Sequence, residues 1–274
     1  MRRPLERLGF VVLVGVLVGY TLFPFAWFLL TSLKTQVEVT AIPPTLVPSV
    51  NLDFYRSAIA SYGLLRYMRN SAIVAGATTL ICLSVAVLAG YSLARLPVRF
   101  KRAVLGTLLA VSMFPQIAIA GPVWRILRAL GWLNTYPGLI LPYVALSLPL
   151  AVWIVATFFK DLPEELEDAA RVDGCTPLQT LWRVILPLAA PGVFTAAILV
   201  FIHAWNEFFF ALLIMTRPEV QTLPVGIALF PGEFTMPWGE IAAASVVATL
   251  PLVAVVLAFQ RRIIRGLTAG SVKG

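Results

Sequence analysis

The sequence predicts an all-α membrane protein of six transmembrane helices, on three observations: charge is scarce, it is confined to short segments, and the apolar stretches between those segments are long. Hydrophobic residues fill 59% of the 274 positions and charged residues 12%, whereas a soluble domain is roughly half apolar and about a quarter charged. Windows free of Asp, Glu, Lys and Arg lie between Arg7 and Lys34, Arg69 and Arg95, Arg102 and Arg125, Arg128 and Lys160, Arg183 and Glu207, and Glu240 and Arg261. Each is long enough to cross a bilayer as a helix, which takes about 20 residues. A lipid-exposed backbone must also satisfy its own hydrogen bonds, which excludes isolated strands.

The first window follows Arg2, Arg3 and Arg7 and so resembles a signal peptide in outline. Phe10 to Leu33 is too long for an h-region, and Thr31-Ser32-Leu33-Lys34 offers no small-x-small cleavage site. It is expected to stay as a membrane anchor. The net charge of +8 reports orientation here and does not point to nucleic acid. With the N-terminus in the cytoplasm, 14 of the 21 Lys and Arg fall inside, and only Lys34, Arg56, Arg66, Arg69, Arg125, Arg128 and Arg217 fall outside. The positive-inside rule therefore puts both termini in the cytoplasm and the protein in an inner membrane.

The expected organisation is a tail and first span over 1–33, an external loop over 34–69, a five-helix core over 70–265 and a C-terminal tail over 266–274. The external loop carries Ile42-Pro43-Pro44 and the amphipathic Asn51-Leu52-Asp53-Phe54-Tyr55-Arg56, read as an interfacial helix. Trp124, Trp132, Tyr136 and Tyr143 are spaced as an aromatic belt at the outer interface. Pro24, Pro115, Pro122, Pro142, Pro149 and Pro251 interrupt the spans, and read either as ordinary kinks or as hinges. Cys82 falls in a span and Cys175 in a loop, which implies no disulfide, and a single histidine, His203, argues against a metal site of the His and Cys type.

The loop over 160–187 holds six of the 13 acidic residues between Asp161 and Asp173. Asp161 is read as a helix N-cap, Pro163 as a first-turn residue, and Gly174 as the left-handed stop. Leu162, Leu166, Ala169 and Ala170 line one face. A second short helix follows, with Thr176 and Gln179 as a capping box and Pro177 at its first position. It presents Leu178, Leu181, Trp182 and Ile185, and Pro187 is expected to close it. Two short helices hinged at a glycine make a knob suited to a partner's groove; a solvated connector is the bland alternative.

Asp168-Ala169-Ala170-Arg171-Val172-Asp173-Gly174, nine residues, then Val184-Ile185-Leu186-Pro187 resembles the E-A-A-x-x-x-G-x9-I-x-L-P motif of binding-protein-dependent ABC importer permeases. Asp168 replaces the usual Glu and Val184 the usual Ile. Trp205-Asn206-Glu207-Phe208 and the ending Gly266-Leu267-Thr268-Ala269-Gly270-Ser271-Val272-Lys273-Gly274 are similar to the maltose/trehalose-type subgroup, its smaller permease. The resemblance implies the type I ABC importer permease fold. It implies three kinds of protein partner besides membrane lipids: a second permease subunit as heterodimer, an ATPase homodimer, and an extracytoplasmic sugar-binding protein. No cofactor is implied in this chain, since ATP and Mg would sit on the ATPase.

Carried over residue by residue, the resemblance assigns ATPase coupling to Asp168, Ala169, Ala170 and Gly174, with Glu167, Asp173, Leu186 and Pro187 in the same segment. It assigns an ATPase-contacting tail to Thr268, Gly270, Val272, Lys273 and Gly274, although a basic membrane-edge anchor explains the preceding Arg261, Arg262 and Arg265 equally. Phe230, Pro231, Gly232, Glu233 and Phe234 occupy the place of the family's scoop loop, which enters the binding protein's cleft; an ordinary solvent loop is the alternative. The four lysines follow Leu, Phe, Phe and Val, so the chain lacks the Gly-Lys of a Walker A loop. His203, Asn206 and Glu207 form a membrane polar cluster, with structural and gating roles both open. An ion-coupled secondary carrier is the runner-up, disfavoured by the near absence of ionisable residues at the midplane. A membrane enzyme would need a Ser/His/Asp set or metal cluster that the sequence does not offer.

Overall fold

The computed structural model describes residues 4–230 and 236–269, with residues 4–7 and 260–269 described by backbone only. Helices α1 (Pro4–Ser32), α4 (Leu64–Arg95), α7 (Tyr136–Lys160) and α14 (Trp238–Ala269) are each long and apolar enough to cross a membrane. The third and fifth windows are not single rods. Helix α5 (Lys101–Ser112) meets α6 (Gln116–Ala129) at a 90° bend, and the Pro177–Leu188 segment meets α11 (Ala190–Asn206) at 80°. Counting each bent pair as one span gives six.

The third window bends where Pro115 sits. A proline disfavours the helical conformation in the residue before it and supplies no amide, so α5 stops at Ser112 and Pro115 becomes the extended N-cap of α6. The other five prolines lie inside continuous helices. Short helices α2 (Gln36–Thr40), α3 (Asp53–Ala60), α8 (Glu165–Val172), α9 (Pro177–Thr180), α10 (Leu186–Leu188), α12 (Phe209–Ile214) and α13 (Leu223–Ala228) fill the connections. The amphipathic stretch read from Asn51 to Arg56 is α3, with Phe54 and Ala58 buried.

The chain forms two compact units, one from the residues up to Arg66 with Gly226–Pro251, the other from Tyr67–Val225 with the chain beyond Leu252. In the first, the Phe54 ring packs on Gly239 so closely that a Cβ there would lie 2.2 Å from it. The Ser32 and Tyr55 hydroxyls bond at 2.7 Å, and Ser57 donates to Glu240 at 3.3 Å. Helix α1 presents its apolar window wholly exposed, as a lipid- or protein-facing surface must.

In the second unit α7 is the central rod, and Tyr143, Val155 and Phe159 are fully buried. Helix α4 reaches it at Gly90, where a Cβ would sit 3.0 Å from Val155, and α11 reaches it at Gly192, whose Cβ would collide with the Phe158 ring. Buried Asn70 ties the loop after α12 to this core: its amide donates to the carbonyls of Glu219 and Gln221, both at 2.9 Å, while Tyr136 donates to its oxygen at 2.8 Å. Tyr143 is fully buried and so is not a member of an interfacial belt, whereas Tyr136 is part-buried with its hydroxyl on Asn70. Trp132 is partly exposed, and Trp124 carries the Arg128 guanidinium over its ring at 5.2 Å.

Candidate functional site

The connection from α7 to α11 folds into the two-helix segment that the sequence outlines, with a later start. Asp161 closes α7 as its C-cap and does not begin a new helix; α8 starts at Glu165, with Glu164 as N-cap. Its end is a full Schellman motif. The Cys175 amide donates to the Ala170 carbonyl at 2.9 Å and the Gly174 amide to the Arg171 carbonyl at 3.1 Å, with Gly174 at φ +80°. Nothing lies within 4 Å of the place where a Gly174 Cβ would stand, so glycine is required there by backbone conformation and not by crowding.

Thr176 then opens the second helix with a complete capping box. The Gln179 amide donates to the Thr176 hydroxyl at 3.4 Å, and the Thr176 amide to the Gln179 side chain at 2.9 Å. The coil runs on through a π-helical turn, Leu181–Ile185, into α10. Pro187 therefore does not close the helix. A proline ring inside a helix collides with the carbonyl four residues back, and a widened turn directly ahead of it relieves that collision. The direction changes at Ala189, between Pro187 and Pro191.

Burial divides the segment into an inner and an outer face. Ala170, Leu181 and Ile185 are buried, whereas Asp168, Ala169, Val172, Gly174, Leu178 and Trp182 are exposed. The apolar residues presented outward are thus Val172, Leu178 and Trp182; Leu181 and Ile185 face the bundle because a helical period puts them about one turn apart on one side.

One residue fastens this segment to the bundle. Arg95, the last residue of α4, is 4% exposed at its side chain and lies 3.2 Å from the Glu167 carboxylate in α8. Its guanidinium also donates to the Leu162 carbonyl at 2.5 Å and reaches Glu164 at 4.0 Å. Burial pushes the Glu167 carboxyl above its usual range, against the pull of Arg95. Sequence reading takes Arg95 only as one of the positive charges. The signal for more is its place at the end of a span, with six acids waiting in one loop.

The membrane polar cluster is built around Glu207. This residue ends α11 in extended conformation, and its buried carboxylate accepts the amides of Phe210 at 2.9 Å and Ala211 at 3.2 Å and the hydroxyl of Tyr143. It caps the first turn of α12. The His203 ring lies edge-on to Tyr143, centroids 6.5 Å apart, and its buried Nε2 has no hydrogen-bond partner among the described residues. Asn206 is exposed and donates back to the Ile202 carbonyl at 3.0 Å, so it does not join the other two. Beside the cluster, at the 90° bend, a cavity of about 450 Å³ is lined by Thr107, Val111, Phe114, Ile119, Pro142 and Phe210 among others.

Residues 86–269, which carry both the two-helix segment and the polar cluster, match the family described as binding-protein-dependent transport system inner membrane component. The chain belongs to that family. The sulfoquinovosyl glycerol transport system permease of Agrobacterium fabrum is 44% identical over 264 residues, covering 96% of this chain and 93% of that one. The trehalose/maltose transport system permease of Thermococcus litoralis is 40% identical, with 98% of both chains covered. The trehalose transport system permease of Mycobacterium tuberculosis is 44% identical, with 96% of both covered. In fold, the chain is similar to a chain of a bacterial ABC transporter involved in the import of alginate, at TM-score 0.81 and 22% identity, over 95% of this chain and 98% of the other.

The protein is thus a membrane-spanning permease subunit of an ABC importer and not the subunit that hydrolyses ATP. Membership also sets aside the ion-coupled carrier. The fold brings Glu167, Asp168, Ala169, Ala170, Asp173, Gly174, Leu186 and Pro187 of the permease into one segment. Of the expected scoop, Phe230 is described: it is buried and stacks on Tyr62 at 4.5 Å. Pro231, Gly232, Glu233 and Phe234 lie outside the described residues, as do Gly270, Val272, Lys273 and Gly274. Thr268 lies within α14, described by backbone only.

Proposed function

We propose that this permease imports a sugar or sugar conjugate, pairing with a second permease to enclose the pathway, receiving its cargo from an extracytoplasmic binding protein, and driven by an ATPase dimer that binds ATP and Mg. The cargo class rests on relatives named for trehalose, maltose and sulfoquinovosyl glycerol. Three such cargoes at similar identity support a glycoside class without selecting a member.

The observation that carries the mechanism is the two-helix segment over 165–188, rigid at its turn and bolted to α4 through Arg95. Its outer face, made of Asp168, Ala169, Val172, Gly174, Leu178 and Trp182, is read as the surface that enters a cleft of the ATPase on the cytoplasmic side. Small residues allow close backbone approach, and the exposed Trp182 and Leu178 supply apolar anchors. When the ATPase dimer closes on ATP, the segment moves as a body and Arg95 carries that motion into α4 while the 80° bend carries it into α11. Both termini are then cytoplasmic. Thr268, Gly270, Val272, Lys273 and Gly274 are read as a further ATPase contact, and residues 230–234 as the contact with the binding protein.

The test is uptake of radiolabelled trehalose and maltose by proteoliposomes holding both permeases, the ATPase and binding protein. Gly174→Val is expected to abolish uptake and weaken assembly. Full uptake and assembly in that variant would show the segment is not the coupling element.

A further inference from the structure

At the end of α1 the chain buries a lysine without giving it an anion. Lys34 is 4% exposed, and its ammonium stands over the Trp27 ring, 4.9 Å from the centroid. Among the described residues no carboxylate forms an ion pair with it. A cation–π contact is worth roughly 0.5–2 kcal/mol and uses none of the ammonium's three N–H donors, so the group can take a further acceptor from the cleft. It lines a cleft of about 390 Å³ whose other walls include Trp27, Phe28, Thr31, Glu38 and Trp238.

Glu38 is the one carboxylate in that lining, and it forms no ion pair with Lys34. It accepts the Thr35 amide at 2.8 Å and the Ser49 hydroxyl, bonds that hold its carboxyl below the usual range and keep it ionised. The cleft thus presents one fixed cation and one fixed anion, unpaired with each other, between two tryptophans. Its depth in the membrane follows from its residues: Ser32 and Trp238 are the ends of the α1 and α14 spans, where tryptophan and lysine sit at headgroup level.

Phe28 also lines a second groove of about 290 Å³ between the same two helices, with Phe25, Leu29, Ser245, Thr249 and Leu250, almost wholly apolar. From Trp238 to Thr249 the helix rises about 16 Å, the span from a headgroup into the upper acyl region. A soluble metabolite has no use for such a groove, whereas a lipid needs both parts.

We propose that α1 and α14 hold one phospholipid with an amine-bearing headgroup: its phosphate on the Lys34 ammonium, its amine toward the Glu38 carboxylate, and one acyl chain in the groove below Phe28. Lipid bound there fills the space between α1 and α14 and fixes the end of the anchor helix near Lys34.

The experiment uses the whole purified transporter, washed in detergent, with bound lipid identified by native mass spectrometry. The wild type is expected to retain one phosphatidylethanolamine. Lys34→Met and, independently, Ser245→Trp, which fills the groove from below, are expected to lower its occupancy roughly tenfold or more, as loss of a charged hydrogen bond implies. Vesicles of phosphatidylethanolamine should restore wild-type thermal stability after delipidation better than vesicles of phosphatidylglycerol, and inorganic phosphate should not substitute. The proposal is overturned if Lys34→Met keeps the lipid, if the wild type carries none, if phosphatidylglycerol serves equally, or if phosphate alone displaces the lipid and stabilises the protein.

Discussion

The guanidinium of Arg95 stands 3.2 Å from the carboxylate of Glu167, and this pair joins the end of a membrane-spanning helix to the first helix of the segment over 165–188. A side chain 4% exposed does not swing freely, so the pair acts as a bolt. Removing one partner of a buried ion pair costs about 3–5 kcal/mol because it strands the other charge, and Glu167 at 15% exposure belongs toward the lower end. Arg95→Ala is therefore expected to cut substrate uptake by more than tenfold while leaving the exposed face of α8 able to bind the ATPase. Uptake measured beside pull-down of the ATPase separates the two effects.

The same pair gives a pH dependence. Burial raises the Glu167 carboxyl above its ordinary value of 4.5, so the native protein holds this proton more tightly than the unfolded chain does. The stability it contributes is fully present below the ordinary value and is lost as pH rises through the raised one. Glu167→Gln removes the titration. Its thermal stability in detergent should decline less than that of the wild type as pH is raised from 4.5 toward neutrality.

Gly174 tests the turn of the segment. Its φ of +80° costs a residue with a side chain about 1–2 kcal/mol, and no neighbour stands in the way of a Cβ. Gly174→Asn, which tolerates the left-handed region, should retain most uptake, while Gly174→Val should lose it. Equal activity in the two variants would show that the turn's conformation is immaterial.

How much of this was legible in the sequence divides by range of interaction. The Thr176–Gln179 capping box and the Gly174 stop are local, set by residues within one turn of each other, and the structure has both. The bend at Pro115 is also local in cause. One proline among six gives no sign of which will break a span, because the choice depends on whether neighbouring helices let the backbone continue. The inward turn of Leu181, Ile185 and Tyr143, and the partnership of Arg95 with Glu167, depend on residues tens of positions apart. A helical period marks a face as apolar without saying what covers it. In a membrane protein that ambiguity is doubled, since lipid and protein both accept apolar side chains.

Glu207 is the buried anchor of the turn between α11 and α12, holding two amides and the Tyr143 hydroxyl. Each donor left unsatisfied costs about 1–3 kcal/mol. Glu207→Ala should destabilise the protein more than Tyr143→Phe, which removes a single donor and leaves both amides engaged. If the cluster is structural, thermal stability and uptake fall together across these variants and His203→Phe changes neither greatly. Uptake lost at full stability would assign the cluster to gating.

The exposed Leu178 and Trp182 supply the apolar anchors of the proposed docking face. Trp182→Ala should weaken binding of the ATPase by about 2 kcal/mol, roughly thirtyfold, as truncation of an aromatic hot spot does. Because Trp182 is half exposed, the isolated permease should keep its melting temperature, which a thermal scan beside the binding assay will show.

Coupling requires that the segment over 165–188 meet a nucleotide-hydrolysing subunit. The direct measurement is crosslinking from Ala169→Cys in a background with Cys82 and Cys175 replaced, in the assembled transporter. We expect a crosslink to the ATPase subunit whose yield changes when ATP is bound, and protection from a membrane-impermeant thiol reagent added outside the cell. Labelling from outside, or a crosslink to no such subunit in any nucleotide state, would contradict it.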